Sequence, residues 1–257
     1  MPGGDAAGAE EIVDGFGLRE RGEACTRGPY VMLNMVSTVD GRATIGGRSR
    51  ALGSPADRDL FHALRGVVDA VMAGAGTVRV ERYGRLIPDP IRRRRRLERG
   101  LSEEPLACIV SRRLSLPGDI PLLADPAARV VMVTSSEDSL PHRGAQIDYI
   151  RSRRDGRLDL RAALAELHDR LGVRTLLCEG GPHLNAELLA AGLVDELFLT
   201  LSAKLAGGEH TAGEGLRILA GPEFAQPLEV ELRGVLHSES NLFLRYGVGA
   251  PAPERVS

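Results

Sequence analysis

A chain of 257 residues with 43% hydrophobic side chains is long enough to bury a core, as one large α/β domain or two small ones. A formal charge of −2, 4% aromatics and no Trp argue against a nucleic-acid partner or an anionic membrane surface. No apolar run approaches the ~20 residues of a membrane helix, and the start, MPGGDAAGAEEIVDG, lacks the basic and apolar stretches of a secretory signal.

Residues 1–28 are rich in Gly, Ala and acid without periodicity, which predicts a flexible extension. From Tyr30 onward strand and helix signals alternate. YVMLNMVS is a strand run. SPADRDLFHALR follows as a helix, with Ser54 placed to cap it and Pro55 at its first position. Apolar runs at 67–74 (VVDAVMAG), 106–111 (LACIVS) and 129–135 (RVVMVTS) predict further strands. Between the second and third lies IRRRRRLERG, with five consecutive arginines, Arg92 to Arg96. Nothing aromatic accompanies the run, so an exposed loop or helix turn is preferred to a polyphosphate or nucleic-acid patch.

Leu160, Leu164, Leu167 and Leu171 then mark one face of a helix, with Asp159 as its cap and Gly172 as its stop. TLLCE (175–179) is a strand, HLNAELLAAG a helix and ELFLTLS (196–202) a strand. The C-terminal segment EVELRGVLHSESNLFLRYGV predicts a hairpin turning near 238–241. Alternating strands and helices imply a largely parallel sheet covered on both faces, with an antiparallel edge at the end. Residues 29–249 form the expected domain, and 250–257 a flexible tail. The three cysteines, Cys25, Cys108 and Cys178, are far apart and predict buried thiols in a reducing, cytoplasmic setting.

Four stretches carry candidate chemistry. In VMAGAGTVRVERYG a strand delivers Gly74, Gly76 and Thr77, so a ligand can approach the backbone near a helix start. The dinucleotide pattern GxGxxG fails here, because Arg79 stands at its third glycine; a plain strand–turn–helix is equally open. Ser111 and Arg112 close the 106–111 strand, where such residues can hold a 2′-phosphate. In LLCEGGPHLNAELL, Gly180 and Gly181 precede a helix start, an anion seat beside Glu179. An ordinary corner with a surface acid fits that spacing as well. Asp40-Gly41 is a turn by default, yet its carboxylate could face the same cleft. The six histidines show no metal spacing, and neither a GxSxG elbow nor a HxE…PCxxC deaminase pattern occurs.

Taken in order, PYVMLNMVSTVDGR, SPADRDLFHALR, DAVMAGAGTVRVE, LLCEGGPHLNAELL, GLVDELFLTLS and KLAGG resemble the reductase domain of bacterial riboflavin-biosynthesis deaminase-reductases, and still more the stand-alone pyrimidine reductases of that family. The resemblance covers about residues 29–247. It implies a dihydrofolate-reductase-like α/β fold: three αβα layers around a mostly parallel sheet with an antiparallel C-terminal hairpin. It also implies NADPH as hydride donor, a homodimer, and a phosphorylated pyrimidine whose ribosylamino side chain is reduced to ribityl. Carried over, Val36, Thr77, Glu81, Ser111 and the corner from Gly181 to Glu187 (Gly181, Pro182, His183, Leu184 and Asn185 foremost) match cofactor contacts. Ser49, Arg65 and Glu179 match substrate contacts. Many members have Lys where this chain has Asn34, and Trp where it has Ala51; both positions belong to the substrate half.

On this reading the nicotinamide lies near Val36 and Gly74, and the pyrimidine near Asn34, Asp40 and Glu179. The substrate phosphate lies near Ser49, Arg50 and Arg65. Asp40 or Glu179 relays the proton, provided burial raises the carboxyl pKa. Two rivals stay open: an NADPH-dependent reductase of a pterin such as dihydrofolate, and a nucleotide-binding module without catalysis.

Overall fold

The computed structural model describes residues 8–141, 144–208 and 216–249. In chain order they form α1 (Ala9–Asp14), α2 (Leu18–Ala24), β1 (Tyr30–Thr38), α3 (Pro55–Arg65), β2 (Ala70–Gly74), α4 (Ala75–Val80) and α5 (Pro90–Glu98). There follow β3 (Leu106–Val110), α6 (Pro121–Ala124), β4 (Arg129–Thr134), β5 (Gln146–Arg151), the short pair β6 (Arg153–Arg154) and β7 (Arg157–Leu158), and α7 (Leu160–Leu171). The last elements are β8 (Thr175–Cys178), α8 (Pro182–Ala190), β9 (Glu196–Ser202), β10 (Val230–Ser238) and β11 (Asn241–Val248).

Local chemistry sets these boundaries as the sequence predicts. The Ser54 hydroxyl accepts the Asp57 N–H at 3.1 Å to start α3. Asp159 accepts the Ala162 N–H at 3.1 Å to start α7, and Gly172, at φ +69°, ends it. Glu239 and Ser240, both at positive φ, make the two-residue turn between β10 and β11.

One nine-stranded sheet results, in the order β10-β11-β9-β1-β8-β2-β3-β4-β5. From β9 to β5 every neighbour pairs in parallel; β11 runs antiparallel to β9, and β10 antiparallel to β11. The central strands carry almost no polar residue because helices bury both their faces. Met32, Val71, Ile109, Met132 and Leu177 face Val13, Leu60, Leu64, Val78 and Leu123 on one side. Leu33, Met72, Cys108, Val131 and Leu176 face Leu160, Leu164, Leu184 and Leu188 of α7 and α8 on the other.

Three features depart from the sequence reading. The flexible extension expected over 1–28 fails for residues 8–28, which form α1 and α2 and place Val13 and Leu18 in the core. Helices of six and seven residues are too short to display a repeat. Their docking is partly ionic: Glu10 pairs with Arg92 and Arg95, and Asp14 with Arg99 at 2.7 Å. Residues 1–7 and the expected tail 250–257 lie outside the described residues.

The arginine run is helix α5, capped by Asp89, and one of its members is part of the interior. Arg96 is fully buried; its guanidinium donates to the carbonyls of Arg65 and Val68 at 2.8 Å each and of Ser102 at 3.0 Å. Burial lowers its pKa to about 10. Strand β5 had no clear signal, because on an edge strand only Ile150 is fully buried among Asp148, Tyr149 and Arg151. The thiols of Cys108 and Cys178 are buried and pushed up to about 12, whereas Cys25 is only half-buried. Among the described residues no helix is long and apolar enough to cross a membrane.

Candidate active site

The chain lays down β2 to β5 in one direction, then returns through α7 to insert β8 between β1 and β2. Strand order reverses at that point, where open α/β sheets present their ligand crevice. Strand β8 pairs with β1 only as far as Leu33–Cys178, while β1 stays paired with β9 to Thr38–Ser202. A notch therefore opens beside residues 34–38 of β1. Asn34, Met35 and Val36 are half-buried along it; alternation turns Asn34 and Val36 to the α3 face and Met35 to the α8 face.

Glycines line the notch. The Gly74 N–H donates to the Gly180 carbonyl at 2.6 Å, which joins the ends of β2 and β8. Gly180 sits at φ +87°, and a Cβ there would stand 3.3 Å from Met35 Cε. A Cβ on Gly181 would stand 2.9 Å from Thr77 Oγ1. The positive φ favours glycine at 180, and at 181 a side chain would have to push Thr77 aside. Gly181 caps α8 without a side-chain bond, and Pro182 brings no N–H. The first-turn N–H groups of His183 and Leu184 thus have no acceptor within the helix, a donor set suited to a pyrophosphate. Exposed Gly76 and half-buried Thr77 lie on the first turn of α4 beside this corner.

On the α3 side, Glu179 emerges from β8 into a closed set of donors. Arg65 Nε and Nη2 reach its two oxygens at 2.6 and 2.7 Å, and the Tyr83 hydroxyl donates to Oε2. The same guanidinium donates to the Leu86 carbonyl at 2.9 Å and stacks on Phe61 at 4.2 Å. Burial, the largest single effect, would lower the Arg65 pKa, but the charge and hydrogen bonds of Glu179, joined by Tyr83, together raise it. Tyr83 is raised well above the ordinary phenol value, by burial first and then by Glu179. Neither aromatic stood out in the sequence. Phe61 was discoverable, since it lies four residues before Arg65 on one helix face; Tyr83 had no signal in ERYG.

Several expected contacts need correction. Arg65 is buried against Glu179 and does not face solvent as a phosphate ligand would. Asp40 is exposed, and its carboxylate accepts Thr38 Oγ1, Ala206 N and, at 2.7 Å, Gly207 N. Those bonds lower its pKa to about 2, opposite to what a proton donor needs. Ser49 and Glu81, expected in the substrate and cofactor halves, bind each other: Glu81 Oε1 accepts both the Ser49 N–H and hydroxyl at 2.9 Å. Leu184 points into the core, and fully buried Asn185 donates to the Ile218 carbonyl at 2.9 Å, so neither side chain meets a ligand at the surface. Ser111 is buried at the end of β3, and exposed Arg112 pairs with Glu187 of α8. Arg50 is exposed on the 39–54 loop. Among the described residues no group of three or more His, Cys, Asp or Glu could hold a metal.

A parallel sheet with a glycine-lined corner at its switch point defines an α/β protein shaped to hold a ligand across its strand ends. The profile of the RibD C-terminal domain matches residues 29–243, and the chain belongs to that family. It is 30% identical over 230 residues to the 2,5-diamino-6-ribosylamino-4(3H)-pyrimidinone 5′-phosphate reductase of Methanothermobacter thermautotrophicus, covering 86% of this chain and 98% of that one. Among solved structures it resembles a pyrimidine reductase-like protein of Corynebacterium diphtheriae, with TM-score 0.75, 22% identity, and 95% and 99% of the two chains covered. It also resembles the diaminohydroxyphosphoribosylaminopyrimidine deaminase/5-amino-6-(5-phosphoribosylamino)uracil reductase of Thermotoga maritima, with TM-score 0.68 and 22% identity over 87% of this chain and 57% of that one. The fold is thus the dihydrofolate-reductase-like three-layer arrangement expected from the sequence.

Arg65→Met strands a buried carboxylate. We expect it to cost about 3–5 kcal/mol in urea unfolding, and Arg65→Met with Glu179→Leu to recover most of that. A loss under about 1 kcal/mol would mean that the pair is screened like a surface one. For Asp40, the folded pKa lies below the unfolded value of 3.8, so its stabilisation is present at neutral pH and is lost as pH falls through about 2. The stability gap between wild type and Asp40→Asn should be flat above about pH 5 and close between about pH 4 and 2. A gap that persists at the acid end refutes the hydrogen-bonded anion.

Proposed function

We propose that this chain is an NADPH-dependent reductase of riboflavin biosynthesis, which reduces the ribosylamino side chain of a (di)aminopyrimidine 5′-phosphate to ribitylamino. One observation carries the reading: the Gly74–Gly180–Gly181 corner, open to an anion, adjoins a carboxylate held by Arg65 at the end of the same strand. The Methanothermobacter relative, named for that reduction, supports the substrate class.

When bound, a reduced nicotinamide supplies the hydride. The chain's own residues position and polarise. Gly180, Gly181 and the α8 start receive the pyrophosphate, with Gly76 and Thr77 alongside. Val36 and Gly74 border the reacting ring. Ser111 and Arg112 lie where the adenosine end comes to rest. Glu179, already held by Arg65 and Tyr83 and almost wholly buried, sets the polar floor of the substrate half beside Asn34 and does not itself meet the pyrimidine or relay its proton. With Arg65 committed to Glu179, the exposed cations Arg48 and Arg50 are left to meet the substrate phosphate. Ser49 and Glu81 tie that loop to the end of α4. The chain works in the cytoplasm, a placement supported by its free thiols, two of them buried.

A homodimer completes this reading. Strand β10 is exposed along almost its whole length, and Val230, Leu232 and Val235, with Leu242 of β11, leave an apolar strip in water on one face of it. Such a strip on a sheet edge suits a second copy related by a two-fold axis.

The decisive assay follows the reduced-nicotinamide absorbance with 2,5-diamino-6-ribosylamino-4(3H)-pyrimidinone 5′-phosphate and, separately, dihydrofolate. Oxidation with the pyrimidine alone is the expected result. Oxidation with dihydrofolate alone supports the pterin reading, and calorimetric NADPH uptake without turnover supports the non-catalytic one. Sedimentation should find a dimer at micromolar concentration that Leu232→Asp dissociates; a wild-type monomer removes the homodimer.

A further inference from the structure

Past the end of β3 the chain turns, and Arg112 reaches across to α8, where its guanidinium meets Glu187. Glu187 is anchored, because its neighbours Ala186 and Leu188 are both buried. Arg112 is anchored as well, one residue past buried Ser111, whose N–H donates to the Val133 carbonyl of β4 at 3.0 Å. Both charged groups nevertheless remain open to water, 61% and 40% exposed, so the pair can be broken at small cost.

The two residue types ask for different ligands. At the adenosine end of a dinucleotide site, an acid accepts the free ribose 2′-hydroxyl of NADH, and an arginine holds the 2′-phosphate of NADPH. Here both are present and bonded to each other. Glu187 takes only Nη2 of Arg112, so a 2′-phosphate that binds the remaining N–H groups must stay beside its negative charge. A 2′-hydroxyl displaces nothing and can donate to the carboxylate.

We infer that Glu187 is a specificity residue of the cofactor site, which weakens the hold of Arg112 on a 2′-phosphate and leaves the chain able to accept both NADPH and NADH. This rests on the reading above that the adenosine end lies at Ser111 and Arg112. The contact between Arg112 and Glu187 is the observation, and the chemistry of the 2′ position supplies the rest.

The test uses two fragments that differ only in the 2′-phosphate, adenosine 2′,5′-bisphosphate and 5′-AMP, titrated calorimetrically into the full chain. Wild type should bind the two within about tenfold of each other. Glu187→Gln should tighten the bisphosphate about three- to tenfold and leave 5′-AMP unchanged or weaker, since a like charge a few ångströms away in water is removed. Arg112→Met should weaken the bisphosphate alone. Equal shifts for both fragments in Glu187→Gln, or no shift in either, overturn the inference, as does a wild type that binds neither. Fragment binding that follows the expected pattern without turnover on any substrate would sink the reductase reading and leave this inference standing.

Discussion

Parallel pairing of β8 with β1 on one side and β2 on the other is the interaction on which the rest depends. The strand has four residues, all buried, and its backbone groups find partners in those two neighbours and, at Thr175, in Asp69 just before β2. Because it stops short while β1 continues to Thr38, a notch forms at the centre of the sheet. Glu179, Gly180 and Gly181 enter it directly, with no loop length in which to wander. The same insertion reverses the strand order, so the crevice and the residues that line it have one cause.

A second chain of dependence runs through arginines. Glu10 and Asp14 dock α1 on α5 and its flank. Arg96 of α5 holds the carbonyl of Arg65 at the end of α3, and the Arg65 side chain holds Glu179. Charges that look like a surface patch in the sequence are thus largely paired, and one of them is buried, while Arg94 and Arg95 stay exposed. Arg92, Arg93, Arg95 and Arg96 all have partners inside the molecule. A buried guanidinium keeps its charge only where carbonyls or a carboxylate replace water, and α5 brings Arg96 to three such carbonyls.

The glycine side of the notch is built mainly from backbone, and the Glu179 side mainly from side chains. Gly74, Gly180, Gly181 and Thr77 come together because the missing side chains let the ends of β2 and β8 and the start of α4 approach closely. Arg65, Ser49, Glu81 and Asp40 bond within the protein instead of standing open. Which partner a long polar side chain takes depends on distances set by the whole fold.

From the residues alone, the alternation of strands and helices, the caps at Ser54 and Asp159, the stop at Gly172, the C-terminal hairpin and the glycine corner were all legible. Each rests on interactions within a few residues, or on a hydrophobic period that one segment carries by itself. The burial of Arg96, the docking of α1 and α2, the edge strand β5, the Tyr83–Glu179–Arg65 group and the Arg112–Glu187 pair were settled only by tertiary structure. In every one the partners lie far apart in the chain, and a contact of that kind exists only once the sheet order has brought its strand ends together.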